Sequence, residues 1–284
     1  MLSLSPSLGY IREPFSVSHR PGTLDVQFPY WFPYICAENQ GPYLQPVDDM
    51  LAFRFKGSAA LRAAHAPRDL ALAAYDFREF SRCRRRGARP LLKDPIAVFS
   101  AEWLSDTFDM QPIVLIRHPA AFASSLIRYG WTHPFDDFLQ QPLLMRDLLS
   151  PFQEQISSFA HSEREIIDQA ALLWTLIHHT ILRYRKARPT WRFFRHEDIA
   201  RDPLGRFEQM FGYLGLEFGE KERAGVSAAT DPSNPSEASG AGVLKRDSRS
   251  AVQTWKTRLS AQQVNRIREA TEQIAVEFYS DADW

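Results

Sequence analysis

The sequence predicts an α/β protein with a mainly parallel sheet, on three observations. Residues 112–116 ("PIVLI") are a compact apolar run, the pattern of a strand buried on both faces of a parallel sheet. Arg117 ends that run and His118-Pro119 opens a helix, proline being suited to the first helical position. Short runs of the same kind recur at residues 90–92 and in "TWRFFRHEDIARDP", each set between stretches of helical periodicity.

Composition narrows the function. The chain has 284 residues, enough for one large domain or two small ones sharing a core. Apolar residues make up 44% and charged residues 24%, as in an ordinary globular protein. Lysine and arginine balance aspartate and glutamate at 34 each, which argues against a general nucleic-acid binder and leaves room only for local anion sites. The two cysteines, Cys36 and Cys83, are far apart, so neither a disulfide framework nor a zinc site is expected, and a reducing cytoplasm fits best. The opening segment carries neither a basic region nor a continuous apolar core of the signal-peptide kind. The longest apolar stretch, "QAALLWTLIHHTIL", is too short to span a bilayer and reads as a buried helix. No metal is implied, because the eight histidines show no paired ligand spacing and the His178-His179 pair points to different sides of a helix.

The elements then follow in order. "MLSLSPSLGY" reads as the last turn of an apolar helix, with Met1, Leu2, Leu4 and Leu8 as its stripe and Pro6 and Gly9 as its stop. Residues 22–50 are rich in Pro, Tyr, Phe and Trp, and closely spaced prolines exclude regular helix there. Two readings stand: a wall of a substrate pocket, or a loop packed by its own aromatics. "RDLALAAYDFREFSRCRRRG" is helical, with Leu70, Ala73, Phe77 and Phe80 in register, and closes on Arg84, Arg85, Arg86 and Gly87. Those cations are either an anion-steering patch or a solvated helix end. An amphipathic helix follows Lys93-Asp94-Pro95. Residues 145–187 are mostly helical, with Ser162 and Glu165 as a capping box for the stretch from 163 to 186. "PLGRFEQMFGYLGLEF" is an amphipathic helix ending near Gly215, and residues 225–250 read as a flexible loop or lid. The last helix, from about 260 to 279, carries Val264, Ile267, Ala270 and Ile274 on one face.

In parallel sheets, ligands bind at the carboxyl ends of strands. That rule places Lys93, Arg117 and His196 at a rim. Ser125 lies eight residues after Arg117, about two helical turns on, with Arg128 a turn further. A guanidinium at the strand end and a hydroxyl on the helix suit a shared phosphate; a helix-surface serine and a salt-bridged arginine are the alternative. A second basic cluster, "LKRDSRSAVQTWK", carries Lys245, Arg246, Arg249 and Lys256 around Trp255, and suits a lid closing on an anion.

Together these segments resemble the sulfotransferase family, which moves a sulfuryl group from 3'-phosphoadenosine 5'-phosphosulfate (PAPS) to an acceptor. "IVLIRHPAAFASSL" is similar to that family's 3'-phosphate signature, "FFRHEDIARDPLGRFEQMFGYLGL" to its strand, acidic turn and helix, and "SRSAVQTWKTRLSAQQVNRI" to its C-terminal Trp-Lys segment. "SPSLGYIREPFSVSHRPG" resembles the region after the first helix in bacterial members. The resemblance implies a P-loop NTPase-like three-layer parallel sheet flanked by helices, in one sulfotransferase-like domain over residues 1–284, with PAPS as co-substrate. Two positions depart from the family pattern: His196, where many members carry tyrosine near the adenine, and His118, where aspartate is common.

The family's first strand and its Pro-x-x-Ser-Gly-Thr-Thr loop, which wraps the 5'-phosphosulfate, are expected before Met1, so the sheet is expected to lack its first strand. "HRPGTL" mimics such a loop faintly, but no buried strand leads into it and no helix follows. Met1 then reads as an internal methionine of the first helix, in a truncated gene or one whose start is placed too late, and a chain that starts there is expected to fold poorly and to lack sulfuryl transfer without that loop. In the resemblance, Glu13 is the candidate general base, Lys93 a contact to the sulfuryl group or acceptor, Arg117 and Ser125 the 3'-phosphate holders, His196 a nucleotide contact, and Lys245, Arg246 and Arg249 its cover. Glu13 has an alternative role, pairing with Arg12 or Arg20. The acceptor is a hydroxyl on a glycan, lipid or small metabolite, with no nucleic acid and no integral membrane segment involved. Rival readings are a P-loop kinase relative, and a non-catalytic pseudoenzyme that binds a nucleotide or a partner.

Overall fold

A computed structural model describes residues 1–235, 245 and 247–284. The chain divides into two compact units. The N-terminal unit is Leu2–Met110 with Gln140–Leu144, and the C-terminal unit is Gln111–Leu139 with Met145–Trp284 and Met1. The class is mixed α/β, as expected. The parallel strands occur as two pairs, one in each unit.

In the N-terminal unit, β1 (Leu8–Arg12) lies parallel to β2 (Arg89–Lys93), with Leu8 opposite Arg89 and Arg12 opposite Lys93. The helix Pro67–Arg85 lies in the crossover between them, as parallel pairing requires. The opening residues form one 3-10 turn at Leu2–Leu4 that runs into β1, so Leu8, expected on a helix stripe, lies instead in a strand, buried with Ile11. Gly9 is dictated by packing, since a Cβ there would lie 2.3 Å from the Phe53 ring and 2.9 Å from Cys83 Sγ. The aromatic segment resolves into core. Phe28 stacks between Phe15 and Tyr43, with ring centroids 5.0 and 5.6 Å away.

Residues 22–50 also contain a regular helix, Gly41–Leu51, that proline content was expected to forbid. Pro42 sits in the first turn, where its missing N–H costs nothing. Pro46 forfeits one ladder bond, and burial of Val47, Met50 and Leu51 offsets it.

In the C-terminal unit, β3 (Ile113–Ile116) is parallel to β4 (Arg192–Arg195), with Ile113 opposite Arg192. β3 is not buried on both faces: Ile116 is buried but Leu115 is 54% exposed. Among the described residues β3 pairs with β4 alone. The helices Pro119–Tyr129, Ile166–Ala187 and Ala261–Ala275 pack on one another through Ala120, Ala123 and Ala170, small residues that let the axes approach, with Ile267 buried among them. The helix Ile166–Ala187 is the predicted buried one, with Trp174 and Leu176 fully covered.

The Ser162–Glu165 capping box does not form. The helical stretch breaks after Gln153–Ala160, Ser162 Oγ donates back to the Ser158 carbonyl at 2.5 Å, and the Glu165 carboxylate pairs with Arg266. A capping box does close at Ser260 and Gln263, before the helix Ala261–Ala275. Residues 225–230, expected to begin a loop, complete the helix Glu220–Thr230, and Ser248–Ala251 is a further helical turn. The rest of the expected lid lies largely outside the described residues. Among the described residues no helix is long and apolar enough to cross a membrane.

Candidate functional site

Each unit presents one rim at the carboxyl ends of its strand pair. In the C-terminal unit, Arg117 leaves β3 half-buried, and its carbonyl accepts a 2.8 Å hydrogen bond from the indole of Trp174. His118 caps the helix Pro119–Tyr129, its Nδ1 accepting from the Ala120 N–H at 3.2 Å. The His118 ring is boxed by aromatics: it lies parallel to Trp255 at 4.9 Å and meets Tyr279 and Trp284 edge-on at 4.8 and 4.5 Å. Burial in that box pushes the imidazole down to about 4, so it is neutral at physiological pH. His118 thus gives the helix an uncharged aromatic cap.

A carboxylate reaches this turn from the helix His196–Arg201, which follows β4. Glu197, buried just beyond that strand, accepts the His118 backbone N–H at 3.1 Å and the Tyr279 hydroxyl at 3.0 Å. Burial and the neighbouring Glu197 carboxylate push the Tyr279 phenol far up, so it stays a donor. Glu197 was not among the residues singled out from sequence. Its signal was its position, a carboxylate two residues beyond the basic end of a strand.

Ser125 is half-buried on the helix Pro119–Tyr129, and its hydroxyl donates to the Ala121 carbonyl at 3.2 Å. Holding an anion requires that proton to rotate off the helix. Beside it, Ser124 Oγ is buried with no hydrogen-bond partner among the described residues. His196 opens the helix His196–Arg201 and is exposed. Arg249 folds back on the end of that helix, donating to the Arg201 carbonyl at 3.3 Å, while Lys245 is exposed and Arg246 lies outside the described residues.

In the N-terminal unit the rim is open. Glu13, just past β1, adopts a left-handed φ of 47°, uncommon for a residue with a side chain. Its N–H donates to the Lys93 carbonyl at 2.9 Å, and its carboxylate pairs with the Lys93 ammonium. The structure thus brings both candidate catalytic residues together. Of the two alternative partners, Arg20 pairs instead with Asp76 at 2.8 Å. Asp94, next to Lys93, takes the N–H groups of Phe15 at 2.7 Å and Ile96 at 2.8 Å. Burial, with the Glu13 charge adding to it, lifts Asp94 to about 6. The tripeptide Lys93-Asp94-Pro95 ending a strand was visible in sequence, but Asp94's role as the clamp behind Glu13 was not.

No protein-family model matches the chain, and no curated protein matches it. Among solved structures, a sulfotransferase domain from the curacin biosynthetic pathway is similar at 15% identity and a TM-score of 0.41, over 92% of this chain and 95% of that chain. Neither fold nor function is inferred from a likeness of that degree.

Proposed function

We propose that the protein transfers a sulfuryl group from PAPS to a hydroxyl acceptor. The observation that carries this reading is the arrangement at β3, where Arg117 ends a parallel strand and Ser125 follows two turns into the helix that His118 caps. A guanidinium fork plus a hydroxyl suits a phosphate monoester such as the 3'-phosphate of the donor. The Trp174 bond to the Arg117 backbone and the Glu197 bond to the His118 backbone fix that turn before any ligand arrives. Preorganisation of this kind lowers the cost of binding.

Glu13 and Lys93 divide the chemistry. Bonded to each other, both are spent. Sulfuryl oxygens that draw off the Lys93 ammonium release the Glu13 carboxylate to take the proton of an acceptor hydroxyl. The acceptor oxygen then bonds to sulfur as the bond from sulfur to the bridging oxygen breaks, and the negative charge leaves on the nucleotide phosphate. His196, Lys245, Arg246 and Arg249 are assigned to the nucleotide.

Calorimetry with adenosine 3',5'-bisphosphate tests the reading. Saturable binding is expected, weakened about tenfold or more in Arg117→Gln. No binding, or binding indifferent to Arg117, ends it. Label transfer from sulfur-labelled PAPS across sugar, lipid and phenolic acceptors then assigns the acceptor class.

A further inference from the structure

A cavity of about 700 Å³ opens along β4 in the C-terminal unit, lined by four arginines, Arg185, Arg192, Arg195 and Arg206, and two carboxylates, Asp198 and Glu277. Neither Arg117 nor Ser125 lines it. The charges do not cancel. Arg195 holds Asp198 through two bonds of 2.9 and 2.8 Å, and Arg185 holds Glu277 at 3.2 Å. Each carboxylate therefore has its own guanidinium, and two cations are left over.

Those two are incompletely used. Arg192 spends only Nη1, on the backbone carbonyls of Thr190 and Trp191 at 3.1 and 3.2 Å, and lies over the Tyr213 ring at 4.8 Å. Arg206 donates Nη1 to Gln209 at 3.1 Å, while its Nε is buried with no hydrogen-bond partner among the described residues. An orphaned guanidinium N–H in a buried position is costly and is the mark of a missing acceptor. Phe193 and Phe278 supply apolar wall.

We propose that this cavity is a second ligand site, for a phosphate monoester carried on a small apolar or aromatic body. Two unmatched guanidiniums complement a dianion, and their forks match tetrahedral oxygens. The walls take the organic part. A sulfate monoester, with a single charge, fills the same shape and leaves one cation unanswered.

The test is calorimetry on the full chain with phenyl phosphate, phenyl sulfate and inorganic phosphate as probes. Phenyl phosphate is expected to saturate one site, more tightly than either other probe. Its affinity is expected to fall as pH drops through about 6, where a phosphate monoester loses its second charge. Arg206→Gln and the exposed Arg192→Gln are each expected to weaken it about tenfold or more, with the thermal midpoint of Arg192→Gln near that of the parent. Because Arg117 is itself proposed to hold a phosphate monoester, the titrations are repeated in Arg117→Gln, where the binding that depends on Arg192 and Arg206 is expected to persist. Absence of saturable binding, equal affinity for phenyl sulfate, or loss in Arg117→Gln with retention in Arg192→Gln would overturn the proposal.

Discussion

The two strand pairs are alike in topology and opposite in finish. Both are parallel, and both end on a basic residue at a carboxyl rim, Lys93 on β2 and Arg195 on β4. The β3–β4 rim is sealed: His118, Tyr279, Trp255 and Glu197 are all buried, and His118 Nδ1, the Glu197 carboxylate and the Tyr279 hydroxyl are tied to backbone or to one another, while His118 Nε2 has no hydrogen-bond partner among the described residues. The β1–β2 rim is left wet, with the Lys93 and Glu13 side chains 53% and 35% exposed. A sealed rim fixes geometry at the expense of freedom to react. An open ion pair contributes little stability and can be exchanged for a ligand.

Titration should pull the two units apart most strongly. His118, His133 and His178, all in the C-terminal unit, are buried neutral, with values depressed to about 4, 3 and 3 from 6.5. Their stability contribution is complete above pH 6.5 and is lost as pH falls toward those values, by a few kcal/mol in total on an order-of-magnitude reckoning. Asp94, in the N-terminal unit, is raised to about 6 from 3.8, so its contribution is complete below 3.8 and is lost as pH rises through 6. Hydrogen exchange by mass spectrometry at pH 6.5, 5.5 and 4.5, corrected for intrinsic rates, should show protection in the helix Ile166–Ala187 falling as the pH drops, and not around β1. Equal loss in both regions would erase the contrast.

Trp174→Ala should cost about 3–5 kcal/mol, because it empties a fully buried site and frees the Arg117 carbonyl, as chemical denaturation will read. Glu13→Gln should do the converse: stability within about 1 kcal/mol of the parent, and sulfuryl transfer down about 100-fold or more under the proposed mechanism. Rates in Glu13→Gln that match the parent remove Glu13 as the base. Gly9→Ala is expected to lose about 1–3 kcal/mol through overpacking against Phe53 and Cys83, with the far-UV spectrum retained. The smallest effect is reserved for Lys93→Met, under about 1 kcal/mol in stability.

How much of this was legible depended on range. β3 and the helix after it were readable because their signals are local: four apolar residues, an arginine, and a proline at the first helical position. The helix Ile166–Ala187 was visible as an apolar run, but its start was not, since Ser162 and Glu165 go to Ser158 and Arg266 instead. β1 was missed because "LGYIR" is short and contains a glycine that only the distant Phe53 and Cys83 explain. The site divides the same way. Arg117 and Ser125 announce themselves by spacing. Glu197 gains its meaning from Tyr279, 82 residues away, and Asp94 from Phe15, 79 residues away, and no window along the chain contains either pair.

The aromatic box around His118 has a practical side. Two of its walls, Tyr279 and Trp284, come from the last six positions of the sequence, and the Trp284 carbonyl is held by the Lys256 ammonium at 2.9 Å. A protease clip at Ser280 therefore acts directly on the turn that presents Arg117.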